Sequence, residues 1–458
     1  MSQTGLLAAQ QKMHDAGVPQ AAIDVFTHYY GQLESGVTGM IPEDSIDPYV
    51  NPPMLDELDV PAHIQQEAIA KTAIIKLNGG LGTSMGLDRA KTLLEVRDGL
   101  NFLDLIAKQV LSMRQRYNAG LPLLFMTSFR TDTDTVQYLQ RYPQLAVEGL
   151  PLTFQQNQEP KLRADDLTPV QWPQDPSLEW CPPGHGDLYT ALLASGVLDA
   201  LLTGGYRYAC ISNGDNLGAV PNARIAGWFA STGAPYAAEV CRRTVNDKKG
   251  GHLAVRKSDG QLILRDTAQT PDQDMHYFTD EFRHPFFHTN NLWFDLQALR
   301  ERLAQGNSVL GLPLIRNQKT VDPTRSDSPA VLQIETAMGA AIEVFPGATA
   351  ICVDRSRFLP VKTTNELLLL RSDVYDLDEQ GQLVARVETT PEVSLSSAYK
   401  TISEFDRRIP QAPSLREASS FIVKGDWEFG AEVSIRGNVT LGEQGGIIEQ
   451  GHILQGEG

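Results

Sequence analysis

The chain has 458 residues, a length that favours two or three domains over a single hydrophobic core. Hydrophobic residues make up 41% of the chain and charged residues 21%, as in ordinary globular proteins, and the formal net charge is −17. An acidic balance of this size argues against a general nucleic-acid binder, whose surface would be basic. No stretch approaches the roughly 20 apolar residues of a membrane-spanning helix, so we also expect no membrane partner.

The cysteines and the N-terminus predict a cytoplasmic protein. The four cysteines are far apart in the sequence and form no CxxC pair, which is typical of reduced thiols and offers no zinc framework. The N-terminus lacks the basic region, apolar run and cleavage site of a secretion signal.

The first 60 residues are expected to form helices followed by an extended connector. Apolar residues recur at roughly helical spacing from residue 2 to about 35, and Gly17-Val-Pro19 divides this stretch into two. Residues 36–60 are rich in Gly, Pro, Asp and Glu, which predicts little regular structure. We therefore place an N-terminal helical segment and connector at residues 1–60.

A glycine-rich stretch follows a short apolar run. Ala73 to Leu77 leads directly into Asn78-Gly-Gly-Leu-Gly-Thr-Ser-Met-Gly86, and Lys91 follows with a positive charge. A buried strand that enters a glycine-rich turn can present bare backbone N–H groups to a phosphate. The spacing is not that of a GxGxxG dinucleotide loop, and Lys91-Thr92 lacks the glycine that precedes them in a P-loop. A plain turn that needs glycine for its geometry is the alternative.

Helices and strands are predicted to alternate after this stretch. The pattern indicates a helix over 100–113, a strand over 121–127, a helix over 132–142 and a strand over 152–156. Such alternation predicts a parallel, doubly wound sheet in a main domain at residues 61–384.

Polar residues follow the strong strand predicted over 206–212. Asn213-Gly-Asp215-Asn216 would lie at the carboxyl end of a buried strand, where α/β enzymes bind ligands. Mg²⁺ is usually held by one or two carboxylates together with substrate phosphates, and Asp215 suits that role. The same four residues are also good turn formers, which is the alternative interpretation.

A second turn also suggests an anion site. Cys181-Pro-Pro-Gly-His-Gly-Asp187 precedes a predicted helix over 188–200, so that His185 and bare backbone would lie at a helix N-terminus. The alternative is a capping turn in which Asp187 is the N-cap and His185 points to solvent.

Three later segments carry polar groups that need partners. Lys248-Lys-Gly-Gly251 is either a solvated hairpin or a place where backbone approaches a ligand. Asn290 and Asn291 lie within an apolar strand, and the hydroxyls of a sugar would satisfy their amides. Residues 331–342 are predicted to be helical, and Glu335 within them needs a salt bridge or a substrate hydroxyl.

The last part of the chain begins with a cluster of basic residues and ends in a repeating pattern of short strands. Arg355, Arg357 and Lys362 lie within eight positions and suggest either a phosphate site or a solvated face. From about residue 385, short β-branched runs alternate with glycine turns, which predicts a small β-helix or β-roll at residues 385–458.

Several of these motifs occur in the order found in one protein family. The chain resembles the eukaryotic-type UTP–glucose-1-phosphate uridylyltransferases, the UDP-glucose pyrophosphorylases, over roughly residues 5–450. The resemblance is carried by Leu77-Asn-Gly-Gly-Leu-Gly-Thr-Ser-Met-Gly86, Pro182-Pro-Gly-His-Gly-Asp187, Ser212-Asn-Gly-Asp-Asn-Leu-Gly218, Lys249-Gly-Gly251, Asn290-Asn-Leu-Trp293, Glu335-Thr-Ala-Met-Gly-Ala-Ala341 and Arg355-Ser-Arg-Phe-Leu-Pro-Val-Lys362. One departure is Leu87-Asp-Arg-Ala90, where the family commonly has a Lys-Gly-Pro-like run.

The resemblance implies a fold and a reaction. The expected fold is an α/β, doubly wound nucleotidyltransferase sheet domain with N-terminal helices and a small C-terminal β-helix domain. The expected reaction joins UTP and glucose 1-phosphate to give UDP-glucose and pyrophosphate with Mg²⁺ as the cofactor. In the family the C-terminal end can mediate self-association, so the resemblance leaves open both a monomer and a homo-oligomer formed through the C-terminal domain.

The resemblance also implies roles for individual residues. Leu77, Asn78, Gly79 and Gly80 match the uridine and phosphate loop, and Gln156 (beside Gln155) matches the base-reading glutamine. Gly184 and His185 match the nucleotide and sugar-phosphate contacts, and Asn213, Gly214 and Asp215 match the substrate and Mg²⁺ ligands. Lys91 matches the lysine that faces the leaving pyrophosphate, and Lys362 matches the catalytic lysine. A sugar-phosphate oxygen is already a nucleophile, so the chemistry needs positioning and charge neutralisation rather than a covalent intermediate.

Three other functions are alternatives to this one. The first is a uridylyltransferase of broader or different sugar 1-phosphate specificity, such as for galactose 1-phosphate. A non-catalytic sugar-nucleotide-binding regulator is disfavoured, because Lys91, Asp215 and Lys362 are all present. A dinucleotide-dependent oxidoreductase is disfavoured by the glycine spacing.

Overall fold

The N-terminal region consists of two helices and a connector. The computed structural model describes residues 2–244, 247 and 250–456. Helices α1 (Ser2–Asp15) and α2 (Gln20–Glu34) are separated at the predicted break, and β1 (Ile46–Pro48) and α3 (Ala62–Ala70) follow. Helices α1 and α2 bury Met13, Phe26 and Tyr30 in one cluster with Leu332 and Ile334 from the body of the protein. The two N-terminal helices therefore pack on the body of the protein.

The central region alternates strands and helices. Its elements are β2 (Thr72–Asn78), β3 (Glu95–Arg97), β4 (Leu100–Asn101), α4 (Phe102–Tyr117), β5 (Leu123–Thr127), α5 (Asp132–Leu139), β6 (Thr153–Gln155), β7 (Glu159–Pro160), β8 (Leu162–Arg163), β9 (Trp180–Cys181), α6 (Leu188–Ala194), α7 (Val197–Thr203), β10 (Tyr208–Asn213), α8 (Ala223–Thr232), β11 (Tyr236–Arg242), β12 (His252–Arg256), β13 (Leu262–Arg265), α9 (Met275–Phe278), β14 (Phe286–Asp295), α10 (Leu296–Gln305), β15 (Ile315–Thr320), β16 (Ala330–Glu335) and β17 (Thr349–Cys352).

The large central sheet contains a reversal of strand order. Its strands lie in the order β1-β12-β14-β10-β2-β5-β6, and β11 joins β14 to β17. The four strands β10, β2, β5 and β6 are parallel neighbours, so their carboxyl ends meet at one edge. From β2 the chain proceeds to β5 and β6 on one side, and it then returns to place β10 on the other side of β2. Ligands of open α/β sheets bind at such a switch point.

Helices cover both faces of this sheet. Ile74 and Phe125 face the layer that contains α4 and α8, whereas Ile75 and Leu124 face the layer that contains α6, α7 and α10. This alternation follows from the two-residue side-chain period of a strand. The predicted α/β fold with helices on both faces of the sheet is confirmed.

The sheet is not parallel throughout, which corrects part of the prediction. Strand β14 runs antiparallel to β10 on one side and to β11 on the other. The chain between β11 and β14 contains the β12–β13 hairpin instead of a crossover helix. The alternation of strand and helix that predicts a parallel sheet is thus interrupted between β11 and β14, and the parallel prediction is wrong there.

Two predicted helices also differ from the structure. Residues 331–342 form strand β16, which pairs with β15, followed by a 3₁₀ turn over Met338–Glu343. The run is short and has β-branched residues at Val331 and Ile334, which suit a strand in a buried sheet. The helix predicted over 188–200 is two helices, because Gly196 adopts a left-handed conformation between α6 and α7.

The C-terminal region contains two small parallel sheets. Its elements are α11 (Thr364–Arg371), β18 (Tyr375–Leu377), β19 (Leu383–Ala385), β20 (Glu392–Leu395), α12 (Ile402–Arg408), β21 (Ser414–Val423), β22 (Trp427–Phe429), β23 (Ser434–Leu441), β24 (Gly446–Ile448) and β25 (Ile453–Gln455). Strands β20, β21, β23 and β25 form one sheet, and β22 pairs with β24. Phe421 and Phe429 belong to the same buried cluster as Leu367 and Phe102, so one core spans both regions. Within the part of the chain that the structure describes, no helix has the length and apolar character needed to cross a bilayer.

Candidate functional site

The backbones of β2 and β10 form the centre of the candidate site. Leu77 on β2 lies opposite Asn213 on β10, and the Gly214 N–H donates to the Leu77 carbonyl at 2.8 Å. The glycine-rich stretch and the Asn213-Gly-Asp215 turn therefore leave the sheet side by side. The structure places these two predicted segments together at the switch point.

Lys91 contacts the Asp215 side chain, and the residue before Lys362 pairs with the Asp215 backbone. Lys91 Nζ lies 2.6 Å from Asp215 Oδ2 and also donates to the Val361 carbonyl. The Val361 N–H donates to the Asp215 carbonyl at 3.3 Å, so Lys362 follows directly beside Asp215. Lys362 is exposed and forms no ion pair with any described residue. The site therefore holds one lysine engaged with a carboxylate and one that is available to an anion.

Hydrogen bonds hold the carbonyl groups of the glycine loop, whereas the space around Gly80 is open. Hydroxyl groups of Thr131 and Ser128 donate to the carbonyls of Asn78 and Gly79, at 2.7 and 2.9 Å. The Gly80 N–H donates to no described residue, and a Cβ added to Gly80 would meet no atom within 4 Å. A backbone donor with open space around it is what a phosphate site requires.

Asn78 turns its side chain into the protein. Its Nδ2 donates to Thr135 Oγ1 at 2.8 Å, and its Oδ1 accepts from Thr92 Oγ1 at 2.7 Å. The residue is only 3% exposed. In this arrangement the Asn78 amide fixes the loop and the Lys91-Thr92 turn relative to each other.

Gln156, and not Gln155, is the glutamine that contacts the glycine loop. Its Nε2 lies 2.8 Å from the position that a Cβ on Gly79 would occupy. Gln155 is the last residue of β6 and is exposed. The structure thus brings Gln156 to the loop, as the resemblance implies.

A buried carboxylate joins Gln156 to the His185 turn. Asn157 donates its backbone N–H and its side-chain Nδ2 to the two oxygens of Asp187, at 2.6 and 2.8 Å. Burial raises the pKa of Asp187 to about 7. Asp187 does stand at the N-cap of α6, as in the alternative interpretation, but its side chain caps no helix N–H and instead connects two loops of the site.

His185 is held at one ring nitrogen by the backbone and presents the other as a donor. The Met338 N–H donates to His185 Nδ1 at 3.0 Å, which places the proton of the neutral ring on Nε2. The side chain is solvent-accessible, yet the surrounding protein disfavours its charged form, and this desolvation lowers the pKa of His185. At neutral pH the ring is therefore an uncharged Nε2–H donor.

Some of the polar residues that were expected to need a ligand are satisfied by other residues of the protein. Asn291 is buried and donates to Glu239 Oε2 at 3.1 Å and to the Arg357 carbonyl at 3.2 Å, so its amide is satisfied without a ligand. Asn290 is only half-buried and adopts a left-handed backbone with φ 59°. Glu335 lies 3.5 Å from Lys319, which is the predicted salt bridge.

The basic cluster of residues 355–362 is mostly neutralised. Arg355 forms two contacts with Asp247, at 2.7 and 2.8 Å, and Arg357 is buried against Glu239. The phosphate interpretation is therefore corrected for the two arginines, since neither is available, and it remains a prediction for Lys362. Lys248 and Lys249 of the predicted Lys-Gly-Gly motif lie outside the described residues.

Sequence reasoning missed Glu239 as part of this region. Glu239 lies within the apolar strand β11 and is fully buried. A carboxylate inside a buried strand is a signal in itself, because burial of an unpaired charge is strongly unfavourable. That signal predicts a cationic partner without identifying Arg357.

Comparison with known proteins assigns the family. A family model described as UTP–glucose-1-phosphate uridylyltransferase matches residues 23–436. The chain belongs to this family. Among its relatives, the UTP–glucose-1-phosphate uridylyltransferase of Saccharomyces cerevisiae is 41% identical over 389 residues, which cover 84% of this chain and 75% of the yeast protein. The enzyme of Hordeum vulgare is 38% identical over 424 residues, covering 91% and 85% of the two chains.

Solved structures of family members superpose over almost the whole chain. The UDP-glucose phosphorylase of Trypanosoma brucei is 42% identical, with a TM-score of 0.90 over 99% of each chain. A variant of the UDP-glucose pyrophosphorylase of Leishmania major, in complex with UDP-glucose, is 42% identical, with a TM-score of 0.92 over 99% of this chain and 98% of that one.

Replacement of two glycines of the site by alanine is expected to have different effects on stability. Gly184 has φ 78°, and a Cβ there would lie 2.7 Å from the Thr336 carbonyl oxygen. We expect Gly184→Ala to lower the free energy of unfolding by at least about 1 kcal/mol, the order of the left-handed strain alone. We expect Gly80→Ala to leave it unchanged, because Gly80 is surrounded by open space. Thermal unfolding of both variants checks this pair, and equal melting temperatures would contradict it.

Proposed function

We propose that this protein is a UTP–glucose-1-phosphate uridylyltransferase that forms UDP-glucose and pyrophosphate. Membership of the family supports the reaction, and so does the complex of the Leishmania major relative with UDP-glucose. The observation that carries the proposal is the convergence of the glycine loop, Asp215, Lys91 and Lys362 at the switch point of the sheet.

The reaction is a direct displacement at the α-phosphorus of UTP. An oxygen of glucose 1-phosphate forms a new bond to that phosphorus while the bond to the bridging oxygen of the pyrophosphate breaks on the opposite side. The negative charge of the leaving group stays on pyrophosphate. No side chain has to act as the nucleophile, so the protein contributes orientation and charge stabilisation.

The cysteines do not offer a covalent alternative. Cys181, Cys210, Cys241 and Cys352 are all buried free thiols. Burial raises the pKa of Cys210 to about 12, and it also raises the pKa of Cys181. A thiol with a raised pKa is a poor nucleophile near neutral pH.

The residues divide into a nucleotide side and a reaction side. On the nucleotide side, Gln156 and the Gly79–Gly80 backbone would hold the base and the phosphates, and neutral His185 would donate from Nε2. On the reaction side, Lys362 would neutralise the charge that develops at the α-phosphate, and Lys91 would face the pyrophosphate. Because Lys91 now contacts Asp215, a phosphate oxygen would compete with Asp215 for this lysine.

The donor set fits a magnesium ion that the substrates help to hold. Asp215 is a partly exposed carboxylate beside the glycine loop, and no cluster of three or more His, Cys, Asp or Glu side chains arranged for a metal occurs within residues 2–244, 247 and 250–456. One carboxylate completed by phosphates and water is the usual protein environment of Mg²⁺. When bound, the ion would neutralise phosphate charge at the reacting centre.

Release of pyrophosphate tests the proposed function. We expect release only when UTP, glucose 1-phosphate and Mg²⁺ are all present, and we expect glucose 1-phosphate to be used in preference to galactose 1-phosphate. Equal turnover of several sugar 1-phosphates would favour the broader sugar specificity. Binding of UDP-glucose without any turnover would favour the non-catalytic regulator.

Lys362→Ala and Asp215→Ala are each expected to lower kcat at least about a hundredfold, the size typical of losing one electrostatic stabiliser. The assay is steady-state pyrophosphate release at saturating substrates. Lys424→Ala is the control, because Lys424 is an exposed lysine of the C-terminal region. Near-normal turnover of either site variant would remove that residue from the mechanism.

The C-terminal strands and the cysteines support the proposed domain division, self-association and location. The parallel pairing of successive C-terminal strands supports a β-helix at residues 385–458, beyond a catalytic domain at 61–384. Exposed Ile447 and Ile453 near the end of these strands support self-association there, which light scattering would test through the mass in solution. The buried free cysteines support a cytoplasmic location.

A further inference from the structure

Glu239 is a buried carboxylate whose oxygens are engaged by four N–H donors. Arg357 donates from Nε and Nη2, each at 2.7 Å, in the bidentate arrangement that fits a carboxylate. Trp293 Nε1 donates at 2.9 Å and Asn291 Nδ2 at 3.1 Å. Desolvation alone would raise the pKa of Glu239, but the attraction of Arg357 and the hydrogen bonds outweigh it and lower the pKa. Glu239 and Arg357 therefore form a charged, fully saturated pair.

Arg357 fixes the chain that leads to Lys362. Its Nη1 donates to the Val220 carbonyl at 2.8 Å, while its own carbonyl accepts from Asn216 Nδ2 at 3.1 Å. Asn216 Oδ1 in turn accepts from the Leu359 N–H at 2.8 Å. The segment is thus attached at both Arg357 and Leu359 to the loop that follows β10.

The attachment continues to the residue before Lys362. Pro360 forms an antiparallel bridge with Asn216, and the Val361 N–H donates to the Asp215 carbonyl. On the other side, the N–H of Lys362 itself donates to Glu366 Oε2 at 3.2 Å, within the capping box of α11. Since the Lys362 side chain has no ionic partner among the described residues, these backbone contacts are what set its position.

We infer that Glu239 is a positioning residue for Lys362: it holds Arg357 from inside the sheet and so fixes the segment that places Lys362 beside Asp215. Glu239 contacts neither Lys91 nor Lys362 and is fully buried, so it acts only through Arg357. The inference deepens the proposed function and rests on it, because it assumes that Lys362 acts in uridylyl transfer.

A double-mutant cycle between Glu239 and Lys362 tests this inference. Glu239→Gln keeps the size of the side chain and removes its charge, which loosens the grip on Arg357. We expect kcat to fall about tenfold to a hundredfold, the range that a misplacement of about 1 Å can produce. The KM for UTP should change less than about threefold, because the glycine loop and Gln156 do not depend on Glu239.

The decisive comparison is made in the Lys362→Ala background. A residue that acts through Lys362 loses its effect once Lys362 is absent, so adding Glu239→Gln should then cost less than about twofold in kcat. Losses that simply multiply would overturn the inference, because they would show that Glu239 supports the fold independently of Lys362. If Glu239→Gln does not fold, Glu239→Asp, which keeps the charge but shortens the reach, takes its place in the same cycle.

Glu43→Gln is the matched control. Glu43 is also a buried glutamate held by arginines, Arg265 and Arg283, but it lies in the N-terminal connector. Any loss caused by Glu43→Gln should be the same with and without Lys362. Failure of the proposed function is distinguishable, because the wild type would then form no UDP-glucose. A Lys362→Ala variant with a normal rate would overturn the positioning inference and the role of Lys362 but leave the proposed reaction in place.

Discussion

The parallel pairing of β2 with β10 is the constraint on which the candidate site depends. Backbone hydrogen bonds align Leu77 with Asn213, and the buried side chain of Lys76 adds a bond from its Nζ to Ser212 Oγ at 2.7 Å and another to the Ala219 carbonyl at 2.9 Å. Burial lowers the pKa of Lys76 to about 8. A one-residue slip in this register would move every side chain of β2 to the opposite face of the sheet and separate the glycine loop from Asp215.

The basic side chains near the site differ in whether an acidic side chain already pairs with them. Arg355 is paired with Asp247 and Arg357 with Glu239, so each of these charges already has an acidic partner. Lys91 is shared between Asp215 and a carbonyl, and Lys362 is left exposed beside them. An acidic protein can bind polyphosphate in this way, because an exposed lysine attracts a phosphate locally whatever the net charge of the chain.

Sequence patterns predicted the local elements and motifs well, because strand period, glycine turns and helical spacing depend on near neighbours. They placed Gly79, Gly80 and Asp215 at carboxyl ends of strands, and the structure confirms that placement. They did not predict that β14 is antiparallel or that Ala330–Glu335 forms a strand, because both depend on the distant strands with which they pair. The choice of Gln156 over Gln155 and the partner of Glu239 are likewise tertiary facts. The roles of the site residues and of Mg²⁺ stay predictions.

Asp215, Lys91 and Lys362 are proposed to surround the reacting phosphate. Anomalous diffraction from crystals soaked with UTP and Mn²⁺, used in place of Mg²⁺, is the sharpest test of this arrangement. We expect a metal peak within direct bonding distance of an Asp215 carboxylate oxygen, with the α-phosphate between that peak and Lys362. A metal and nucleotide bound with the phosphates away from Asp215, Lys91 and Lys362 would show that the arrangement is wrong.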